Sequence, residues 1–69
     1  MVEIFKTNVQ DSAMATTLVS ELLELFPGYR INFDLEDCDR ILRVESQRIA
    51  VDKIAVVLNG KGFVCEVLE

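Results

Sequence analysis

The sequence predicts an α+β domain built from four strands and two helices. Four segments show the apolar alternation that is typical of strands, and two segments repeat apolar residues at the three- and four-residue spacing of helices. Their order is strand, helix, strand, strand, helix, strand. This order packs as a four-stranded antiparallel sheet with two helices on one face, the ferredoxin-like βαββαβ sandwich.

The first predicted strand covers residues 2–9, which are β-prone and roughly alternate between apolar and polar side chains. Because alternate residues of a strand point to opposite faces, Phe5, Thr7 and Val9 are expected to face the core. The other face of this strand then carries Ile4.

An amphipathic helix is predicted over residues 13–26. Asp11 and Ser12 precede it and supply side chains that cap a helix N-terminus. Pro27 and Gly28 end it, because proline cannot continue the hydrogen-bond ladder and glycine tolerates the left-handed turn beyond. The expected core positions are Ala15, Leu18, Leu22 and Leu25.

A β-hairpin is predicted over residues 31–44. Apolar and polar residues alternate on both sides of a polar break, and a turn centred on Asp37-Cys38 brings the two segments into register. The register satisfies hydrophobic and charge pairing together. It contains three cross-strand pairs, Phe33 with Leu42, Ile31 with Val44, and Arg30 with Glu45.

A second helix is predicted over residues 51–58, and a last strand over residues 63–68. The segment 59–62 contains two glycines and ends the helix. Cys65 falls on the inward side of the last strand, so we expect it to be a small core residue.

Composition narrows the function classes. A formal charge of −5 disfavours contact with nucleic acid or anionic lipid, because both require basic patches. The longest apolar runs are too short to span a bilayer, and no signal peptide is recognisable, so we expect a cytoplasmic protein that does not enter the membrane. The cysteine spacing matches no common disulfide scaffold, and both thiols are expected to be free. Residues 1–69 are expected to form one domain.

Across essentially its full length the chain resembles the heavy-metal-associated (HMA) domains of copper chaperones and metal-pumping ATPases. The resemblance rests on the first strand, the helix closing at Pro27-Gly28, the hairpin over 31–44, and Gly62-Phe63 ahead of the last strand. HMA domains bind Cu(I) or a similar soft ion through a Cys-x-x-Cys pair in the loop before the first helix. The resemblance implies the same fold for this chain.

This chain lacks that cysteine pair, and counting back from Pro27 places Asp11 and Met14 at the two positions. An aspartate oxygen is a hard ligand and a thioether is a weak one, so the two side chains replace a thiolate pair poorly. We therefore interpret Asp11 as the helix N-cap and Met14 as a hydrophobic plug against the core, and we expect no metal or other cofactor. Lys61 resembles a lysine beside the thiolates of some copper chaperones, but we expect it to be solvated.

Cys38 supports an alternative. In this topology the turn that contains it lies at the same end of the sheet as the Asp11 loop, so several carboxylates are expected around its thiol. These are the side chains of Asp11, Glu36, Asp37 and Asp39. A soft-metal carrier for copper or zinc, using Cys38 with Met14 or sharing one ion between two chains, is therefore the alternative function. A solvated turn is the simpler interpretation.

The leading hypothesis is a non-catalytic protein-interaction or regulatory domain. The chain has no histidine, no phosphate-binding loop and no nucleophile beside a recognisable base, so we expect no enzyme activity. The alternation predicts an apolar interaction face on the helix-free side of the sheet, which favours a protein partner or a homodimer. Its residues are Ile4, Ile41, Val64 and Leu68. Small-molecule sensing, as in the similarly wound ACT domains, is a third class for which the residues indicate no ligand.

Overall fold

The computed structural model describes residues 1–36 and 38–68. The elements are β1 (Val2–Thr7), α1 (Ser12–Leu25), β2 (Arg30–Asp34), β3 (Ile41–Glu45), α2 (Val51–Gly60) and β4 (Cys65–Val67). The strands form one antiparallel sheet in the order β2-β3-β1-β4, which confirms the predicted ferredoxin-like α+β fold. Neither helix within the described ranges has the length and apolar content to cross a membrane.

Both helices pack on the same face of the sheet. Leu22 of α1 and Ile54 and Leu58 of α2 are fully buried in one cluster with inward residues of the strands. The strand residues of this cluster are Phe5, Leu42, Val44 and Cys65. A smaller cluster joins Val9 to Ala15 and Leu18 at the start of α1. Burying these apolar side chains is the main favourable contribution to folding.

The hairpin register is as the sequence predicts. The strands β2 and β3 pair Phe33 with Leu42, Ile31 with Val44, and Arg30 with Glu45. The last pair is an exposed ion pair, with 3.5 Å between Arg30 Nη1 and Glu45 Oε1. The turn prediction at Asp37-Cys38 lies partly outside the described residues, because Asp37 is not described.

Strand β1 ends at Thr7, two residues earlier than predicted. The Thr7 N–H donates to the carbonyls of both Asp39 and Arg40, at 3.1 and 3.2 Å, so two residues on the β3 side oppose one on β1. This is the arrangement of a β-bulge, and Arg40 has a positive φ of 49° there. Val9 is nevertheless completely buried, as expected, although it lies beyond the strand.

Helix α1 has capping interactions at both ends. The Asp11 side chain accepts hydrogen bonds from the first turn, and Phe26 is the C-cap. Beyond it, Tyr29 donates its N–H to the Phe26 carbonyl at 3.2 Å and closes a turn with Pro27 and Gly28 in the middle. Gly28 has a φ of 91°, the left-handed conformation that such a turn requires at its third position.

Helix α2 extends two residues beyond its predicted end and shortens the last strand. Gly62, with φ 92°, donates its N–H to the Asn59 carbonyl, and Phe63 donates to the Leu58 carbonyl, both at 3.0 Å. These two bonds form a Schellman C-cap. Because Phe63 belongs to the cap and Val64 N–H bonds the Asn8 side chain, β4 begins only at Cys65.

We expect Tyr29→Phe to reduce the free energy of unfolding by about 1 kcal/mol. The Tyr29 hydroxyl accepts a hydrogen bond at 3.0 Å from the N–H of Ala50, the N-cap residue of α2, which has no side-chain cap. The substitution removes this acceptor and keeps the ring, which stacks on Phe26 with 5.1 Å between centroids. Urea unfolding measures the change, and an unchanged free energy would contradict a role for the hydroxyl.

Candidate functional site

The carboxylate of Asp11, one of the metal-ligand candidates considered from the sequence, caps α1. Its Oδ1 atom accepts hydrogen bonds from the N–H groups of Ala13 at 2.7 Å and Met14 at 3.3 Å. A negative charge at this position also complements the positive end of the helix. These contacts are those predicted for an N-cap.

Met14 does not plug the loop, so that interpretation is wrong. Its side chain is 42% exposed, whereas the adjacent Ala15 is buried. The reason is helical phase: Ala15, Leu18 and Leu22 form the buried stripe of α1, and Met14 falls outside it.

Cys38 is an exposed free thiol in the turn between β2 and β3. Its neighbour Asp39 lies 3.8 Å from the Lys6 ammonium on β1. Among residues 1–36 and 38–68, no group of three or more Cys, Asp or Glu side chains is arranged to hold a metal ion. The expected carboxylate cluster is therefore not assembled within these ranges, and the part of the prediction that involves Asp37 lies outside them.

Cys65 is the buried free cysteine and, as predicted, belongs to the core. Burial raises the pKa of its thiol to about 11, because the thiolate loses hydration inside the sheet. An inert packing role follows, since the thiolate is the nucleophile and the metal ligand.

Lys61 forms an ion pair that the sequence did not reveal. Its ammonium contacts Oε2 of Glu21 on α1, an atom shielded from solvent. Both side chains remain more than a third exposed, so the contribution to stability is small. The contact connects the loop after α2 to the middle of α1.

The predicted interaction face lies on the helix-free side of the sheet. Ile4 lies opposite Arg43, and Ile41 lies opposite Lys6. Leu68 is beside Ile4, because the Leu68 N–H donates to the Ile4 carbonyl at 2.8 Å.

Charged side chains interrupt this face. Glu66 pairs with Lys6 in the β1–β4 register, and Lys6 also lies beside Ile41. Val64 and Leu68 are 44% and 40% exposed, whereas Ile4 and Ile41 are half-buried. The surface is therefore mixed in character, unlike a continuous apolar patch.

An open groove of about 570 Å³ lies between α1 and β2. It is predominantly apolar, and its apolar lining consists of Ala15, Val19, Ile31, Phe33 and Leu35. A second cavity of about 570 Å³ borders the same strand and shares Ile31 and Asn32 with the first. A smaller groove of about 450 Å³ lies between the end of α1 and α2, against the exposed side chains of Leu25 and Val56.

The groove between α1 and β2 was not predicted from the sequence. The available signal is the series Ser12, Thr16 and Ser20, small polar residues four positions apart on the side of α1 that borders the groove. Residues at this spacing share one face of a helix. Small side chains there leave the space between helix and strand unfilled.

Comparisons with protein-family models, curated proteins and solved structures give no match to this chain. The resemblance to HMA domains therefore stays a prediction, and the candidate site is defined by its geometry.

We expect Asp11→Ala to reduce the free energy of unfolding by about 0.5–2 kcal/mol, because two N–H groups of α1 lose their acceptor. Urea unfolding followed by circular dichroism measures the loss. Asp11→Asn is the matched control, since asparagine caps a helix about as well without the charge. An equal loss in both variants would contradict the capping role.

We expect the free energy of unfolding to fall as the pH rises from about 9 towards 11, in part through Cys65. The folded pKa is raised from 9.0 to about 11, so the unfolded chain releases the thiol proton first and alkaline pH favours unfolding. Below pH 9 the thiol is neutral in both states and this contribution is intact. Cys65→Ala should reduce the slope over this window, and Cys38→Ser, a change of the exposed thiol, serves as the control. Equal slopes in all three proteins would contradict this contribution.

Proposed function

We propose that this chain is a non-catalytic protein-interaction domain that binds its partner along the α1–β2 edge, defined here as strand β2 with the groove between it and α1. The observation that carries the proposal is the position of an apolar groove of about 570 Å³ beside β2, one of the two edge strands of the sheet. A cytoplasmic setting, expected from the sequence, belongs to the same proposal.

The α1–β2 edge combines two kinds of recognition. The outer side of an edge strand presents N–H and C=O groups that give directional hydrogen bonds to an added strand. The groove beside it accepts apolar side chains from the same partner, so affinity and orientation arise at one place. The net charge of −5 further supports a protein partner over a nucleic acid.

The two other apolar surfaces have weaker support. On the helix-free face, Lys6 and Arg43 lie beside Ile41 and Ile4, so the two isoleucines do not form a continuous apolar surface. The groove against Leu25 and Val56 borders two helices, whose backbone groups are satisfied internally. The copper or zinc carrier using Cys38 stays a hypothesis, since no metal-binding group is assembled in the described parts of the chain.

Site-specific photocrosslinking in the producing cells tests the proposal. We expect a benzophenone amino acid at Ser20, which is exposed and lines the groove, to form adducts with protein. The same probe at Thr17, which is also exposed on α1 but does not line the groove, is the matched control and should give at least about tenfold less adduct.

Mass spectrometry of the adducts identifies the partner. Protein adducts at Ser20 and their absence at Thr17 support the proposal, whichever protein is captured. Equal yields at the two positions, or none at either, would show that the α1–β2 edge is not an interaction surface.

A further inference from the structure

We infer that the partner at the α1–β2 edge is a second copy of this chain, joined through antiparallel pairing of the two β2 strands about a two-fold axis at Asn32. The inference rests on the proposed function and specifies its partner. It predicts a continuous eight-stranded sheet, formed from the four strands of each copy.

The sheet ladder shows which backbone groups of β2 are available. The Thr7 N–H and the Met1 carbonyl bond to the β3 side, whereas the Ile4 carbonyl bonds Leu68 on the β4 side. Odd-numbered residues of β1 therefore bond even-numbered residues of β3. Because successive residues of a strand direct their backbone groups to opposite sides, the odd-numbered residues of β3 bond β2. In the β2–β3 pairing Asn32 and its partner Arg43 are consequently a hydrogen-bonded pair.

Two residues of β2 then direct their N–H and C=O groups outward, Ile31 and Phe33. About an axis at Asn32, Ile31 of one copy lies opposite Phe33 of the other. Each such pair exchanges two backbone hydrogen bonds, and the symmetry makes four in all. The two Asn32 side chains lie next to each other at the axis, on the helix-free face.

In this register the charges on β2 of one copy complement the charges on β2 of the second copy. Strand β2 reads Arg30-Ile31-Asn32-Phe33-Asp34. About the Asn32 axis, Arg30 of each copy lies opposite Asp34 of the other, so two opposite-charge pairs form and like charges stay apart. The Arg30 side chain is 85% exposed, so its guanidinium is accessible to a second copy although it also lies beside Glu45.

The cavities along the α1–β2 edge also converge on this axis. Both of the 570 Å³ cavities include Ile31 and Asn32 in their lining. Because α1 contacts β2 most closely, the α1 helices of the two copies become neighbours across the axis. The small side chains of Thr16 and Ser20 permit a close approach of these helices over the groove.

Cysteine crosslinking tests this axis directly. In a Cys38→Ser background, which removes the exposed native thiol, Asn32→Cys should form a disulfide-linked dimer under a glutathione redox buffer. Opposed residues of a non-hydrogen-bonded pair have Cα atoms about 4.5 Å apart, within the range of a disulfide. Arg30→Cys in the same background is the matched control. The Cα atoms of residue 30 in the two copies lie about 14 Å apart, the length of four strand residues, so this variant should form no disulfide-linked dimer.

Charge exchange tests the register without a crosslink. Sedimentation equilibrium should show that Asp34→Arg or Arg30→Asp alone raises the dimer dissociation constant about three- to thirtyfold. The double variant Arg30→Asp with Asp34→Arg should recover most of the loss, because the symmetric charge pairs form again. Circular dichroism confirms that each variant is folded.

Equal crosslinking of Asn32→Cys and Arg30→Cys, or no crosslinking of either folded variant at millimolar concentration, would overturn the second-copy inference. If that happens while the Ser20 probe captures a different protein, the interaction function stands and the identity of the partner is wrong. If the Ser20 probe captures nothing, the proposed function itself fails.

Discussion

The hydrogen bonds of Thr7 set the geometry on which the rest of this fold depends. Thr7 lies at the end of the central strand β1, is 5% exposed, and donates its hydroxyl to the Arg40 carbonyl at 2.5 Å. The same hydroxyl accepts the Val9 N–H at 3.3 Å. One buried polar side chain therefore ends β1, fixes the bulge before β3 and directs the chain towards α1. With these bonds formed, its burial carries no unsatisfied polar group.

The consequences extend to the hairpin. At the bulge Arg40 takes a φ of 49°, a left-handed conformation that is uncommon outside glycine. Its guanidinium donates to the Leu35 carbonyl at 3.0 Å and spans the mouth of the turn. Because β3 begins immediately afterwards at Ile41, the bulge determines which residues of β3 face the core, and through them the register of β2.

The hairpin shows which features a sequence can predict. Its register followed from the alternation around Phe33 and Leu42, because a one-residue slip would move every apolar side chain to the wrong face. The ends of helices and strands were less predictable, because they depend on caps. Phe63 was predicted to begin the last strand, but its N–H donates to the Leu58 carbonyl, five residues earlier, and belongs to the cap of α2. Met14 was misplaced because it was assigned to the loop as a plug, whereas it lies in α1 outside the buried stripe of Ala15, Leu18 and Leu22.

The candidate site was harder to predict than the fold for a physical reason. A groove is the volume that side chains leave unfilled, so it depends on the distance between α1 and β2 and on small residues such as Ser12 and Ser20. Neither the spacing of apolar residues nor a motif encodes that distance. Asp11 illustrates the opposite case, because its capping role depends on its own backbone neighbours and is therefore readable from local sequence.

The charges at the two ends of β2 explain how an exposed edge strand can be both protected and selective. Charged residues on an edge discourage pairing with unrelated strands. About an axis at Arg30 or at Asp34 like charges would meet, and about an axis at Ile31 or at Phe33 Arg30 would no longer lie opposite Asp34. The Asn32 axis pairs all five residues of the strand, matches both charges, and brings Ile31 against Phe33. The charges at the two ends of β2 therefore oppose the registers in which like charges meet and favour this one.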